Sequence, residues 1–110
     1  MAYDEDLAER IRELLADEDA ITEKKMFGGL AFLAHGNMSV AAAADGGMLV
    51  RVDPADTDAC LATPHVQPMV MRGRAMDGWM RVASGAVQSR RELAIWVKRG
   101  VSFAKTLPPK

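Results

Sequence analysis

The fold is decided by residues 21–52, which read ITEKKMFGGLAFLAHGNMSVAAAADGGMLVRV. Short apolar runs alternate here with breaks that contain glycine, asparagine or aspartate, and the runs lie at 21–27, 30–34, 38–43 and 48–52. Residues of these three types tolerate the positive φ of tight turns, so the pattern predicts antiparallel strands joined by hairpins. The alanines at 41–44 favour a helix by propensity, but their place between two tight turns favours a strand. We therefore predict a meander of three or four strands.

Helices are predicted on both sides of this meander. Leucine and isoleucine recur at the spacing of one helical face between residues 4 and 15, which predicts a first helix. Asp53 and Pro54 suit the start of a short helix that runs to about residue 62. Ser89 and Glu92 have the spacing of a capping box at the start of a last helix. The apolar stripe of that helix comprises Leu93, Trp96, Val97, Gly100, Val101 and Ala104.

Two further strands are expected at 68–71 and 79–82, on either side of a polar connection that contains glycine. The chain has 110 residues, of which 49% are hydrophobic and 26% are charged, a balance typical of one globular domain. The sequence therefore predicts a single α+β domain over 1–110. Its antiparallel sheet of about five to six strands is flanked by helices, in the order helix, strands, helix, strands, helix.

Targeting and redox features predict a cytoplasmic protein. The first residues contain no basic segment leading into an apolar stretch, so no signal peptide is expected. The one cysteine, Cys60, cannot form an internal disulfide, which fits a reducing compartment. The run of small apolar residues at 40–44 is far shorter than the roughly 20 residues that span a bilayer, so no membrane association is expected.

The charges are distributed unevenly along the chain. Residues 1–60 carry five lysines and arginines against 13 acids, a net charge of −8. Residues 61–110 carry nine lysines and arginines against two acids, a net charge of +7. Two opposed surface patches would follow if the halves folded separately. We expect the halves to be interleaved instead, because elements from both halves of a small domain usually share one sheet.

Reactive groups in catalytic or metal-binding patterns are scarce. His35, Cys60 and His65 are the candidate soft metal ligands, and they lack the short spacing of a zinc site. Cys60 falls on a predicted apolar helix face, which indicates a buried thiol rather than a nucleophile. Gly28 and Gly29 precede a strand rather than a helix, so they do not form a phosphate-binding loop. We expect no catalytic activity, no metal and no cofactor.

Basic residues are the first group of candidate binding residues. These side chains could contact a partner or an anion. The group comprises Lys24, Lys25, Arg51, Arg72, Arg74, Arg90 and Arg91. One alternative is a direct nucleic-acid-binding protein that uses the arginines of the C-terminal half, because phosphate contacts supply most sequence-independent affinity. Another is a small-molecule-binding protein or unrecognised enzyme in which Arg51, Arg72 or Arg74 holds an anion.

Methionines form the second group. The chain has eight, and Met69 and Met71 lie in the predicted late strands. Methionine fills irregular gaps in cores and also serves adaptable binding surfaces. These two residues therefore either fill the core or form a partner-binding face, such as a homodimer interface.

Motifs along nearly the whole chain carry a family resemblance. They are KKMFGGLAFL at 24–33, GNM at 36–38, MLVRV at 48–52, QPM at 67–69, GRAM at 73–76 with GW at 78–79, LAIWV at 93–97 and LPPK at 107–110. In this order they resemble the N-terminal domain of the TfoX/Sxy competence regulators. The resemblance implies an α+β domain and regulation rather than catalysis. Family members turn on DNA-uptake genes together with a transcription activator, and the longer ones carry a second, C-terminal domain.

The leading hypothesis is therefore a non-catalytic regulatory or protein-interaction domain. By the resemblance, it acts on the transcription machinery through a protein partner, either as a monomer or as a homodimer. The absence of a reactive constellation in the sequence points in the same direction.

Overall fold

Helices and strands follow each other in the predicted order. The structure is a computed structural model that describes residues 3–18, 21–26, 28–43, 46–71 and 73–108. The helices are α1 (Glu5–Leu14), α2 (Thr57–Leu61) and α3 (Arg90–Thr106). The strands are β1 (Ile21–Met26), β2 (Gly29–Ala34), β3 (Asn37–Ala42), β4 (Met48–Arg51), β5 (Val66–Met71) and β6 (Arg74–Val82). The α+β fold class is therefore confirmed.

All six strands belong to one antiparallel sheet, in the order β1-β2-β3-β4-β6-β5. The first four strands form the predicted meander. A 3₁₀ turn, Pro54–Asp56, and α2 then carry the chain to the edge strand β5, and β6 returns by a hairpin to pair with β4. The pairs Met48 with Val82 and Val50 with Met80 place four fully buried side chains on one face of the sheet.

The late hairpin is longer than the sequence predicted. The expected strands were 68–71 and 79–82, whereas β5 begins at Val66 and β6 begins at Arg74. The polar connection at 74–78 is therefore part of β6. Residues 74 and 75 pair with β5, and the Gly78 carbonyl oxygen accepts a hydrogen bond from the Val52 N–H just after β4. These contacts with neighbouring segments outweigh the low intrinsic strand propensity of residues 74–78.

The helix α1 is tied to its neighbours by side chains. Asp4 caps its start, because the carboxylate accepts hydrogen bonds from the backbone N–H groups of residues 6 and 7. Arg12 donates to Glu23 on β1, with 2.7 Å between Nε and Oε2. Arg10 donates to the carbonyl oxygen of Val87 at 2.8 Å, just before α3. These bonds hold α1 between the edge of the sheet and the last helix.

The acidic and basic halves of the chain are interleaved. Strands from both halves share the sheet, and α1 contacts α3. Lys105 near the end of α3 forms an ion pair with Glu18, which follows α1. Charges of opposite sign from the two halves therefore meet at this ion pair.

The last helix provides most of the helical contribution to the core. Ser89 and Glu92 form the predicted capping box, with 3.1 Å between the Glu92 backbone nitrogen and Ser89 Oγ. The six residues of the predicted apolar stripe are all buried. At Gly100 the helix backbone lies against β3, and a Cβ atom there would sit 2.5 Å from the Ser39 carbonyl oxygen and 2.7 Å from Val40 Cγ1. Only a residue without a side chain fits.

Two buried polar side chains in β3 are satisfied. Ser39 Oγ donates to the Phe32 carbonyl oxygen at 2.8 Å, at the point where the β2–β3 register shifts. Asn37 Nδ2 donates to the Pro108 carbonyl oxygen at 2.9 Å. This second bond fastens the segment after α3 to the start of β3.

We predict that Gly100→Ala destabilises the protein. The added methyl group must separate α3 from β3, and overpacking of this kind costs about 2 kcal/mol. This outweighs the roughly 1 kcal/mol that alanine gains over glycine in helix propensity. Urea unfolding measures the effect. The control is Ser102→Ala at an exposed position of α3, for which we expect a change of less than about 0.5 kcal/mol. A Gly100→Ala variant as stable as this control would contradict the close approach.

The ion pair between α1 and β1 predicts a dependence of stability on pH. The hydrogen bond from Arg12 holds the pKa of Glu23 below its usual value. Because the folded-state pKa lies below the unfolded one, the pair stabilises the fold at neutral pH, and this contribution is lost as the pH falls through the folded-state pKa. Glu23→Gln should therefore flatten the decline of the urea midpoint on acidification. Glu13→Gln, at an exposed position of α1, should leave the decline unchanged.

Candidate interaction sites

The sheet has a second apolar cluster, separate from the main core. Its buried members are Ala31, Ala41, Ala43 and Leu49, and the partly buried Leu33, Met38 and Met69 pack against them. These residues come from β2, β3, β4 and β5 and from the residue after β3, and no described helix residue belongs to the cluster. The helices instead contribute to the main core on the other side of the sheet. We call the surface formed by the second cluster the open face.

Pairing across the strands places two basic residues on the open face. Lys24 lies opposite Ala31, and Arg81 lies opposite Leu49. Residues directly opposite each other in a sheet share a face. The open face therefore has an apolar centre with a basic residue towards each side. Lys25 lies opposite Leu30, so the alternation of β1 directs it to the face that carries the helices.

Met69 is the one predicted interface residue whose surroundings are described. Its partly buried side chain packs against the cluster on the open face. The side chain of Met71 lies outside the described part of the chain. Met80, by contrast, is fully buried in the main core.

The predicted basic residues do not converge on one patch. Arg74 begins β6, and Arg90 and Arg91 begin α3 beyond the other end of that strand. Eight residues separate Arg74 from Val82, which corresponds to about 26 Å along an extended strand. Arg72 lies outside the described residues.

Arg51 is held between two aromatic rings. Its guanidinium carbon lies 5.4 Å from the ring centroid of Trp79 on β6 and 5.7 Å from that of Phe103 on α3. Contacts of this type stabilise a cation on the faces of the rings. The side chain is partly buried and joins the end of β4 to the last helix.

A groove of about 660 Å³ lies between α3 and the segment that contains α2. One wall comes from residues between Val52 and Cys60, and the other from the side of α3 between Ile95 and Thr106. We call it the α2–α3 groove. Its volume falls within the range of about 300–1,000 Å³ that is usual for ligand pockets.

Cys60 forms part of the base of this groove and is only 1% exposed. Arg99 Nη1 lies 3.7 Å from its sulfur, and the guanidinium of Arg99 also stacks on Trp96, 4.8 Å from the ring centroid. Burial raises the pKa of the Cys60 thiol although Arg99 opposes this shift. The prediction of a buried thiol is therefore confirmed, and the neutral form is favoured.

The structure also places the two histidines that were candidate metal ligands. His35 and His65 are exposed and adopt positive φ at turns. No group of three or more histidine, cysteine or acidic residues that could hold a metal occurs among the described residues. Within the same ranges, no helix is both long enough and apolar enough to cross a membrane.

The α2–α3 groove was missed by sequence reasoning. Its residues come from two segments more than 30 positions apart, so no short motif marks it. One signal was present in Ile95, a large apolar residue outside the buried stripe of α3 that is 48% exposed.

A comparison of the sequence with models of protein families identifies the family of this chain. The model of the TfoX N-terminal domain matches residues 13–104. The chain belongs to this family. The match begins in α1 and ends in the last turn of α3, so it includes every strand of the sheet and the segment that forms the α2–α3 groove. The curated proteins and the solved structures gave no match. The predicted resemblance to TfoX N-terminal domains is thus confirmed.

A glycine in β6 shapes the groove of this TfoX N-terminal domain. Gly78 has φ +78°, and a Cβ atom there would lie 2.8 Å from the Val52 carbonyl oxygen. The backbone N–H of Val52 donates to the Gly78 carbonyl oxygen at 2.7 Å. Gly73 has nearly the same φ, +77°, with nothing within 4 Å of its added Cβ. Substitutions at Gly73 and Gly78 can therefore distinguish the cost of backbone strain from the cost of steric contact.

We predict that Gly73→Ala lowers the free energy of unfolding by about 1 kcal/mol, the cost of a left-handed backbone for alanine. Gly78→Ala should lower it by roughly 1–3 kcal/mol more, because the methyl group also displaces the backbone at Val52. Urea unfolding gives both values. Amide NMR of Gly78→Ala should show shifts at Val52 and Asp53, which line the groove. Equal destabilisation by the two substitutions would show that the contact at Gly78 is not tight.

Proposed function

We propose that this TfoX N-terminal domain is a non-catalytic regulatory domain that acts on transcription through a protein partner bound at the open face. Family membership supports the regulatory role. The single observation that carries the choice of surface is the apolar cluster on the side of the sheet away from the helices.

The composition of the central strands supports this choice. An antiparallel sheet with helices on one side usually has polar residues on the other, which gives an alternating pattern. In β2 five of six residues are buried and the sixth is partly buried, and the same holds for β3. Strands buried on both faces are typical of sheets with a layer on each side. Because the central residues are already buried within the single chain, a partner would contact the partly buried Leu33, Met38 and Met69 that pack against them.

The sizes of the side chains on the open face also suit close contact. Alanine at 31, 41 and 43 forms a buried centre of small side chains, while the larger and partly buried Leu33, Met38 and Met69 pack against it. Methionine and leucine side chains adapt to the shape of an opposing surface. The basic Lys24, opposite Ala31, favours a partner that has acidic residues beside an apolar contact.

Direct nucleic-acid binding has weaker support. It requires the arginines at 72, 74, 90 and 91 to act together on phosphates. Arg74 lies at the opposite end of β6 from the start of α3, where Arg90 and Arg91 lie. A duplex would have to contact two distant parts of the surface.

We predict that Met69→Glu abolishes partner binding without unfolding the domain. A buried carboxylate in an apolar contact is unpaired, so capture of the partner should fall about tenfold or more. The tagged protein is captured from its native lysate with and without nuclease treatment, and the retained proteins are quantified. The control is Gln88→Glu, which adds the same charge at an exposed site between the sheet and α3. Thermal unfolding of both variants checks the fold.

The outcomes of this experiment are distinct. A protein retained by the control and lost from Met69→Glu supports the proposal, and transcript levels in cells that carry each variant should then follow the binding. Equal retention by the two variants would exclude the open face. Loss of all retained proteins on nuclease treatment would favour nucleic-acid binding. Size-exclusion chromatography of the purified variants shows whether the occupant is instead a second copy of the chain.

A further inference from the structure

The α2–α3 groove carries opposite charges on its two walls. Asp53 and Asp56 lie on the wall that precedes α2, and Lys98 and Arg99 lie on α3. Among the described residues, the ion pairs within 4.0 Å join Arg12 to Glu9 and Glu23 and Lys105 to Glu18, and none of them crosses the groove. The groove therefore separates acids from bases that would otherwise pair.

Two of these charged groups are already held in place. Arg99 stacks on Trp96 at 4.8 Å and lies 3.7 Å from the sulfur of Cys60. The carboxylate of Asp53 accepts a hydrogen bond from the backbone N–H of Ala55 at 3.0 Å. A ligand that binds to groups of fixed orientation loses less affinity to ordering. One basic group and one acidic group of the groove, Arg99 and Asp53, are therefore partly preorganised for binding.

Apolar surface completes the groove. Ile95 is 48% exposed, and Phe103, Val52 and Ala59 also line the walls. Ile95 and Phe103 are eight positions apart on α3, which corresponds to about 12 Å along the helix axis. One side chain of a ligand would cover one of these residues, whereas two side chains could cover both.

We propose that the α2–α3 groove binds a zwitterionic amphiphile of the class of free amino acids and short peptides. The ligand carboxylate lies against Arg99 and Lys98, its ammonium group lies against Asp53 and Asp56, and its apolar side chain lies against Phe103 or Ile95. Each contact between charges is a charge-assisted hydrogen bond, the stronger type in proteins. This site is separate from the open face, on the helix side of the sheet.

Other ligand classes fit the charges less well. An anion such as a phosphate would meet Asp53 and Asp56, and a cation would meet Lys98 and Arg99. A wholly apolar ligand would remove water from all four charged groups without replacing its hydrogen bonds. A molecule with both charges satisfies both walls.

The test is an amide NMR titration of the whole chain with chosen probes. L-phenylalanine and the dipeptide Phe-Leu carry both charges, 2-phenylethylamine carries only the ammonium group, and 3-phenylpropionate carries only the carboxylate. We expect saturable shifts at Ala59, Ile95 and Phe103 with a zwitterion, and binding about tenfold weaker for each singly charged analogue. Tighter binding of the dipeptide would indicate that peptides are the ligand source, and tighter binding of phenylalanine would indicate free amino acids.

Variants on each wall make the test specific. Asp56→Asn and Lys98→Gln each remove one exposed charge with little change of shape, and each should weaken binding of the zwitterion at least about fivefold. Arg91→Gln, in the first turn of α3 outside the groove, should leave binding unchanged. Unaltered amide spectra away from each substitution show that the fold is intact.

The proposal is overturned by any of three results. The first is the absence of saturable shifts with either zwitterion up to its solubility limit. The second is equal binding of the zwitterions and the singly charged analogues. The third is binding that Asp56→Asn and Lys98→Gln leave unchanged. All three can occur whether or not the open face binds a protein partner, so the two proposals fail independently.

Discussion

The fold depends on the close approach of α3 to β3 at Gly100. There the helix backbone contacts the strand directly, because a side chain would overlap the Ser39 carbonyl oxygen. Van der Waals attraction and apolar burial both fall rapidly when surfaces separate, so this contact sets how deeply the whole buried stripe of α3 enters the core. The first helix packs on α3 in turn, and the bond from Asn37 to Pro108 fastens the far end of the helix to the sheet.

Seating α3 over the middle of the sheet has two consequences for function. It fills one face of β2, β3 and β4, and no described helix residue packs against the apolar cluster on their other face. It also leaves a gap between α3 and the segment from Val52 to Cys60, and this gap is the α2–α3 groove. The two surfaces lie on opposite sides of the sheet. A protein partner and a small ligand could therefore bind at the same time, and α3 and the strands beneath it connect the two sites.

The distribution of charge follows from the same packing. The chain is acidic in its first 60 residues and basic afterwards, yet strands from both halves share one sheet. Glu18 pairs with Lys105, while Asp53 and Asp56 line the same groove as Lys98 and Arg99. Opposite charges from the two halves therefore lie near each other, in the ion pair between Glu18 and Lys105 and along the walls of the groove.

The sequence by itself determined the features that depend on neighbouring residues. The capping box at Ser89, the buried stripe of α3 and the tight turn at His35 and Gly36 follow from residues within a few positions of each other, as does the cap at Asp53, although the helix predicted there is a 3₁₀ turn followed by α2. Only the tertiary structure decided that β4 pairs with β6, that residues 74–78 belong to β6, that Met69 lies on an open face and that Asp56 and Lys98 line one groove. The physical reason is that pairing, face and cavity depend on contacts between residues far apart in the chain. The energy of such contacts arises from burial and fit, which periodicity and propensity do not encode.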